Sequence, residues 1–355
     1  MNAVLAPFFT ALSLFSSQLS ATDSLPDGFL MYHSYSSYEA RDSRLYVYNT
    51  GNGEKICIND CVENIYNLMN GDFGSSPYDI VFMGMTANNE NAGWDIFRFN
   101  IITKELINLT NQSDLREEDV KFSPSGNSVV FKRGKWNHQY DTMQYDIHIL
   151  DLKSGQISQI TDDIPEDSMP YFSDDGNKLY YMKGTGKGAG IYSYDISSKK
   201  ETPIYIDETV MSYYPVVYKN FLFFTRHVSE ENMNDCIYRI DTDTMKADIM
   251  DFCTPDTNFS DPAPIDENNI IYSSTANGSY DLFVRQDNTV SELSMLNTPF
   301  HELGAVFYNG RTTLIENFTS MMLAKTDDTK EYYDINSDGI INISDYCLMK
   351  NYIYY

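Results

Sequence analysis

The chain has 355 residues, 42 % of them hydrophobic and 14 % aromatic, enough for a sizeable core and, for an all-β architecture, not too long for one unit. A formal net charge of −26 repels phosphate backbones and anionic lipid, which speaks against nucleic acid and membrane-surface partners. The acidity is spread along the chain as a solubility feature rather than gathered in a tail, and 28 Tyr with 20 Phe favour strands, because aromatic rings fit a pleated, half-buried surface.

Residues 3–15 (AVLAPFFTALSLF) form an uncharged apolar run, followed from Ser16 to Ala21 by small residues. This is the pattern of a signal peptide and its cleavage region, although the basic n-region is missing. Residues 1–21 are therefore expected to be a signal peptide and the protein to be secreted, with a first β-strand as the alternative reading. No other stretch approaches the ~18 apolar residues of a membrane span.

From residue 22 a repeat sets in. A short apolar strand recurs as FLMYHS at Phe29, IVFMGM at Ile80, VVFKRG at Val129, LYYMKG at Leu179, FLFFTR at Phe221, IIYSST at Ile270 and TLIENF at Thr313. The spacing, about 42 to 51 residues, is that of a four-stranded propeller blade. A second, alternating strand follows in each unit (LYVYNT, DIFRFN, DIHILD, IYSYDI, CIYRID, DLFVRQ, MMLAKT), then a polar turn and a third short strand such as QISQIT. Tight turns precede several of the apolar strands: Ser123-Pro124-Ser125-Gly126 and Ser173-Asp174-Asp175-Gly176, with Leu25-Pro26-Asp27-Gly28 and Tyr308-Asn309-Gly310 as further copies. Pro presets φ and Gly takes the positive-φ place, so the flanking strands are expected to form antiparallel hairpins. Seven copies predict seven blades, with six as the alternative.

The string Pro170-Tyr-Phe-Ser-Asp-Asp-Gly-Asn-Lys-Leu-Tyr-Tyr, with Ile191-Tyr-Ser-Tyr-Asp after it, resembles the TolB-type, or WD40-like, propeller repeat. Phe122-Ser-Pro-Ser-Gly with Asp146-Ile-His-Ile-Leu-Asp is the second good copy. The resemblance implies an all-β propeller over residues 22–327. It says little about activity, because propellers host many unrelated ones.

Residues 334–345, D-I-N-S-D-G-I-I-N-I-S-D, fit the calcium-loop template. Ca²⁺ takes six to eight hard oxygen ligands. Asp334, Asn336 and Asp338 would supply side-chain oxygens at positions 1, 3 and 5, and Gly339 the sharp turn. Ile340 would give a backbone carbonyl, Asn342 would coordinate directly or through water, and Asp345 would close the sphere. Asp345 in place of the usual Glu, followed by Tyr346-Cys-Leu-Met-Lys-Asn-Tyr-Ile353, resembles one type I dockerin repeat over residues 328–355. In that family the loop and helix face a cohesin. The resemblance implies a cohesin-type partner contacted by Ile343, Ser344, Lys350 and Asn351. The family normally carries two such repeats, and this chain has one.

No nucleophile elbow, H-E-x-x-H or P-loop occurs, so the catalytic residues are unassigned. His33, His227 and His301 stand within or beside the strands of units 1, 5 and 7 and could meet on an axial metal; with His138 and His148 they are otherwise isolated. The carboxylate runs Glu117/Glu118/Asp119, Asp162/Asp163 and Asp174/Asp175 read as solvated turns, and Asp95, Asp146 and Asp281 as repeat residues bonding nearby backbone. Trp94, Trp136, Tyr140 and Tyr145 offer either a sugar-stacking platform or inter-blade filler. Of the five Cys, Cys57 with Cys61 and Cys236 with Cys253 could pair; the alternative is free thiols, and no C-x-x-C metal pattern exists. The expected function is a secreted, non-catalytic module whose propeller binds a glycan or protein and whose tail anchors it to a cohesin-bearing assembly. The alternative is a polysaccharide lyase or glycoside hydrolase with its site at the propeller axis.

Overall fold

The computed structural model describes residues 25–86, 93–111, 115–250 and 252–309. The signal-peptide reading, the strand at Thr313, the whole calcium loop and the cohesin-facing residues lie outside these.

The described residues form 24 strands and one 3-10 turn at Ile58–Cys61. In chain order come β1 (Phe29–Tyr35), β2 (Arg44–Asn49) and β3 (Lys55–Cys57). Next are β4 (Ile65–Phe73), β5 (Asp79–Thr86), β6 (Asp95–Asn100) and β7 (Leu106–Asn108), then β8 (Arg116–Phe122), β9 (Ser128–Asn137), β10 (Thr142–Asp151) and β11 (Ile157–Gln159). They are followed by β12 (Asp167–Phe172), β13 (Lys178–Lys183), β14 (Gly190–Asp195) and β15 (Lys200–Tyr205), and by β16 (Ser212–Tyr218), β17 (Phe221–His227), β18 (Asp235–Asp241) and β19 (Lys246–Ile249). Last are β20 (Phe259–Pro264), β21 (Ile270–Ser274), β22 (Asp281–Gln286), β23 (Thr289–Glu292) and β24 (His301–Tyr308).

Five sheets are sequential, β4–β7 through β20–β23; the sixth has the order β24-β1-β2-β3. The innermost strands β4, β8, β12, β16, β20 and β24 touch in sequence, and β24 touches β4, so the ring is closed. Numbering the β24/β1 sheet as blade 1, the described residues form a six-bladed propeller. The expectation of seven blades is corrected, and the physical reason is the closure. The turn at Tyr308-Asn309 follows β24, but β1 already pairs along β24 from Phe29↔Tyr308 to Tyr35↔His301. The first repeat unit therefore supplies three strands of a blade whose fourth comes from the far end of the ring, which leaves no exposed inner edge.

The apolar runs of the second strands now have a cause. Their residues alternate between two seams. Leu30 and Tyr32 pack against Ile271 and Leu282 of blade 6, while Met31 packs with Ile80 and Phe82 of blade 2. Val81 and Met83 point the other way, onto Val129 and Phe131 of blade 3. The pattern continues through the seams at Val130/Tyr181, Tyr180/Phe224 and Phe223/Tyr272. A strand buried on both faces reads as continuous apolar sequence rather than alternating. The expected hairpins are present: Ser123–Gly126 joins β8 to β9, and Ser173–Gly176 joins β12 to β13.

Candidate functional site

Each innermost strand has a left-handed residue at the same place, Asn70, Asp119, Met169, Tyr214, Asp261 and Gly304, with φ from 46 to 63°, and β4 has a second at Asn67. There the ladder slips by one residue against the second strand, which is a β-bulge. The bulge aims side chains at the axis, so Asn70, Asp119, Lys121, Met169, Tyr214 and Val216 line it. They close it. Asn70 Nδ2 donates to Asp119 Oδ1 at 3.1 Å, and Lys121 Nζ donates to the Gly71 carbonyl at 3.0 Å. Asp261 Oδ2 accepts from Gly304 N at 2.9 Å, and Asp72 Oδ2 from Phe122 N at 2.8 Å. The cavity left among them is about 10 Å³, the space of a single water. His33, on β1, is 4 % exposed and lies beside Gly304. Burial, and then the charge of Lys121, push its imidazole down to about 3, so it is neutral.

Every innermost strand begins at one face, here called the front. Around the front mouth the charges divide by sector. On blade 3 and its border with blade 4, Glu118 meets Arg116 and Lys132 at 2.8 Å each; Lys132 is also 3.6 Å from Asp119 and 3.7 Å from Glu166, and Arg133 reaches Glu117 at 2.9 Å. Lys132 lies over the Tyr145 ring at 4.5 Å. Glu117, Glu118, Asp119 and Glu166 thus each have a cation within 4 Å, whereas Asp146 and Asp167 of the same blades have none among the described residues and keep oxygens without a donor.

Blades 5, 6 and 1 differ. Asp235, at the start of β18, is 5 % exposed, and its Oδ1 has no hydrogen-bond partner. His227 Nε2 stands 3.7 Å from that oxygen. Burial and the charge of Arg226 push His227 down, so it is neutral near pH 7 and offers no cation. Burial, with Asp261 adding repulsion and Tyr213 opposing, pushes Asp235 up to about 7. Asp261 is also raised, by burial first. Tyrosine rings gather on the two histidines of this sector: Tyr213 lies edge-on to His227 at 5.9 Å, and Tyr35 and Tyr280 lie 5.7 and 5.9 Å from His301. The Tyr280 amide donates to His301 Nδ1 at 3.2 Å. Burial raises all three phenols. Asp261 raises each further, and Asp235 does so for Tyr213 and Tyr280, so Tyr213 and Tyr280 share one electrostatic neighbourhood with both acids and Tyr35 with Asp261. Perturbed titratable groups gathered in one place are a physical pointer to a functional site.

Several expectations are met in part or corrected. His33, His227 and His301 all lie toward the front end of blades 1 and 5, but the Tyr35 ring stands 5.7 Å from both His33 and His301. No group of three metal-type side chains is placed to hold an ion among the described residues. His138 is exposed, while His148 is buried with Nδ1 3.2 Å from the Asp146 carbonyl. Glu117, Glu118 and Asp119 are not solvated turns but buried strand residues. Asp95, Asp146 and Asp281 accept from side chains, Asn108, Gln144 and Asn277 in turn, and Asp146 also meets the Asp163 backbone as expected. Trp94 is buried in a seam, whereas Trp136 and Tyr140 are exposed on the long β9–β10 hairpin, so the four aromatics form no common platform. Cys57, Cys61, Cys236 and Cys253 carry no disulfide.

Sequence reading missed Tyr35, Tyr213, Asp235, Asp261 and Tyr280. One signal was available for Asp235, which opens the third strand of its unit just as Asp95 and Asp281 do. Asp261 reveals itself only through the bulge.

The rear face holds a cavity of about 440 Å³, lined by Tyr218, Lys219, Ile265, Asp266 and Gln286, with Leu25 and Asn309 at either end of the described chain. It lacks the clustered, perturbed acids of the front.

No protein-family model matches the sequence, and no curated protein does. Solved structures match in fold. TolB from Acinetobacter baumannii superposes with a TM-score of 0.62 at 14 % identity, over 79 % of this chain and 66 % of that one. The fold is that of a TolB-like β-propeller. Kuenenia stuttgartiensis hydrazine synthase gives 0.65 at 9 % identity, over 80 % of this chain and 47 % of that one. The oligogalacturonate lyase of Vibrio parahaemolyticus gives 0.51 at 10 % identity, covering 74 % and 78 %. The chain thus spans about two thirds of that TolB and about half of the synthase. Such different neighbours share an architecture, not an activity.

Proposed function

We propose that this chain is a secreted, non-catalytic binding module. The TolB-like propeller would hold a glycan or protein ligand on its front face, and residues 334–345 would bind Ca²⁺ and attach the molecule to a cohesin-type partner. The observation that carries the propeller half of this reading is the filled axis. With about 10 Å³ left among Asn70, Asp119, Lys121 and Tyr214, a sugar ring has no way to an axial pair of acids, which weighs against a lyase or hydrolase working there. Recognition then falls to the front mouth, where aromatic rings and charged groups are partly exposed together.

The anchor half rests on the residues of the loop. Asp334, Asn336, Asp338, Ile340, Asn342 and Asp345 offer hard oxygens at calcium spacing, and a hard dication prefers that donor set. Ile343, Ser344, Lys350 and Asn351 would meet the partner. Capture of the full chain on immobilised cohesin should occur with Ca²⁺, vanish with EDTA, and be lost in an Asp334→Ala/Asp345→Ala variant. Capture unaffected by EDTA, or none at all, removes the anchor. Screening the chain on glycan and protein arrays tests the propeller, and a blank screen removes the binding reading.

A further inference from the structure

We infer that the front mouth between blades 5, 6 and 1 is a recognition site for a protonated primary amine, held by Asp235 and Asp261 and bounded by Tyr35, Tyr213 and Tyr280. This deepens the proposed function and rests on the reading of the propeller as a binding module.

The first observation is the imbalance of charge. Among the described residues no Lys or Arg is ion-paired with Asp235 or Asp261, whereas on blade 3 Glu117, Glu118 and Asp119 each have a cation within 4 Å. The nearest basic ring, His227, is kept neutral by burial and by Arg226. Lys121 bears on Asp261 from within the axis but is held by the Gly71 carbonyl.

The second is Asp235 itself. It is 5 % exposed, with one oxygen meeting no donor. A buried acceptor left without a donor is costly, by about 1–3 kcal/mol. Its other neighbours do not relieve it: Asp261 repels its charge, and the Tyr213 hydroxyl helps only in part. Asp261 accepts from the Gly304 amide and from Ser260 Oγ at 2.9 Å each, so it is satisfied in hydrogen bonds, and Lys121 partly offsets its charge.

The third is the surround. Tyr213 and Tyr280 lie near enough to both acids, and Tyr35 to Asp261, for those charges to raise their hydroxyls, and the three rings stand 5.7–5.9 Å from His227 or His301. Aromatic faces attract ammonium ions through the ring quadrupole. An ammonium group brings three donors and one positive charge, which is what an unpaired acid beside a second acid lacks. An anionic ligand would instead favour neither acid and would meet a chain of net charge −26.

The ammonium could be borne by an amino sugar or by a lysine side chain, and calorimetry separates the two. The probes are glucosamine and Nα-acetyl-lysine methylamide, each against its uncharged N-acetylated counterpart. At least one charged probe should bind about tenfold or more tightly than its acetylated form, and Asp235→Asn should abolish that difference. Which charged probe binds names the source. Tyr280→Phe, which keeps the ring, should weaken binding by less than Asp235→Asn. Should Asp235→Asn fail to fold, the charged-versus-acetylated comparison on the unaltered chain still decides. Equal heats for charged and acetylated probes, or no heat from either, overturn the inference. If arrays still report a front-face ligand in that case, the binding-module reading stands without it.

Discussion

At the residue scale the axis depends on six backbones bent into the left-handed region. Asn and Asp tolerate that conformation through local hydrogen bonds, and Gly without strain. Met169 and Tyr214 adopt it with neither advantage, at about 1–3 kcal/mol each; they are held there because their neighbours in the ring fix the bulge. Gly304 has a second constraint. A Cβ there would stand 2.6 Å from the His33 ring, and that ring is clamped by burial and by stacking on Tyr35. Gly304→Ala is therefore expected to destabilise the fold by about 2 kcal/mol or more. Urea unfolding should show a lower midpoint at unchanged slope, and an unchanged midpoint would contradict the close approach.

At the element scale the deciding piece is β24. It pairs only with β1 inside its sheet but also touches β20 and β4 on either side. Ala305 packs into the seam with blade 6, and Tyr308 and Val306 into the seam with blade 2. Without it two seams open and β1 becomes a bare edge, the kind of edge that recruits other chains. A chain ended after Asn309 should keep one cooperative melting transition. A chain ended after Pro299 should lose it and associate in solution, as calorimetry and light scattering would report. Equal melting of the two would mean that the ring does not depend on its closing strand.

At the scale of the whole molecule, buried acids set how stability follows pH. Asp167 is fully buried, and neither of its oxygens meets a donor at hydrogen-bond geometry, though the Thr161 hydroxyl is near enough to favour the ionised form. Burial pushes it up to about 8; Asp235 and Glu117 are each pushed up to about 7, again by burial first. A carboxyl raised in the folded state keeps a proton that the unfolded chain gives up above about pH 4. Stability from these groups is thus complete below that pH and declines as pH rises through 7 and 8. The melting temperature should fall by several degrees between pH 5 and pH 8. Asp167→Asn should recover part of that fall at pH 8 and change little at pH 5. A melting temperature that rises with pH over this range would refute the assignment.

The sequence by itself determined the blade, because a strand buried on both faces must be apolar throughout, and Ser-Pro-Ser-Gly or Ser-Asp-Asp-Gly must turn. Those constraints are local, so they show as spacing and composition. The number of blades was not local. The units at Phe29 and Thr313 looked like separate copies, and only the pairing of Phe29 with Tyr308 across the whole chain showed that the first unit borrows its inner strand. The front mouth was hidden for the same reason. Tyr35, Tyr213, Asp235, Asp261 and Tyr280 come from three blades and carry no shared motif, and of the histidines that stood out in sequence His33 and His301 each lie against the Tyr35 ring once folded, while His227 lies against Tyr213. Which carboxylates have cations and which do not is a matter of a few ångströms across blade seams. That balance was decided by ring closure, which brings residues 35 and 280 to one place.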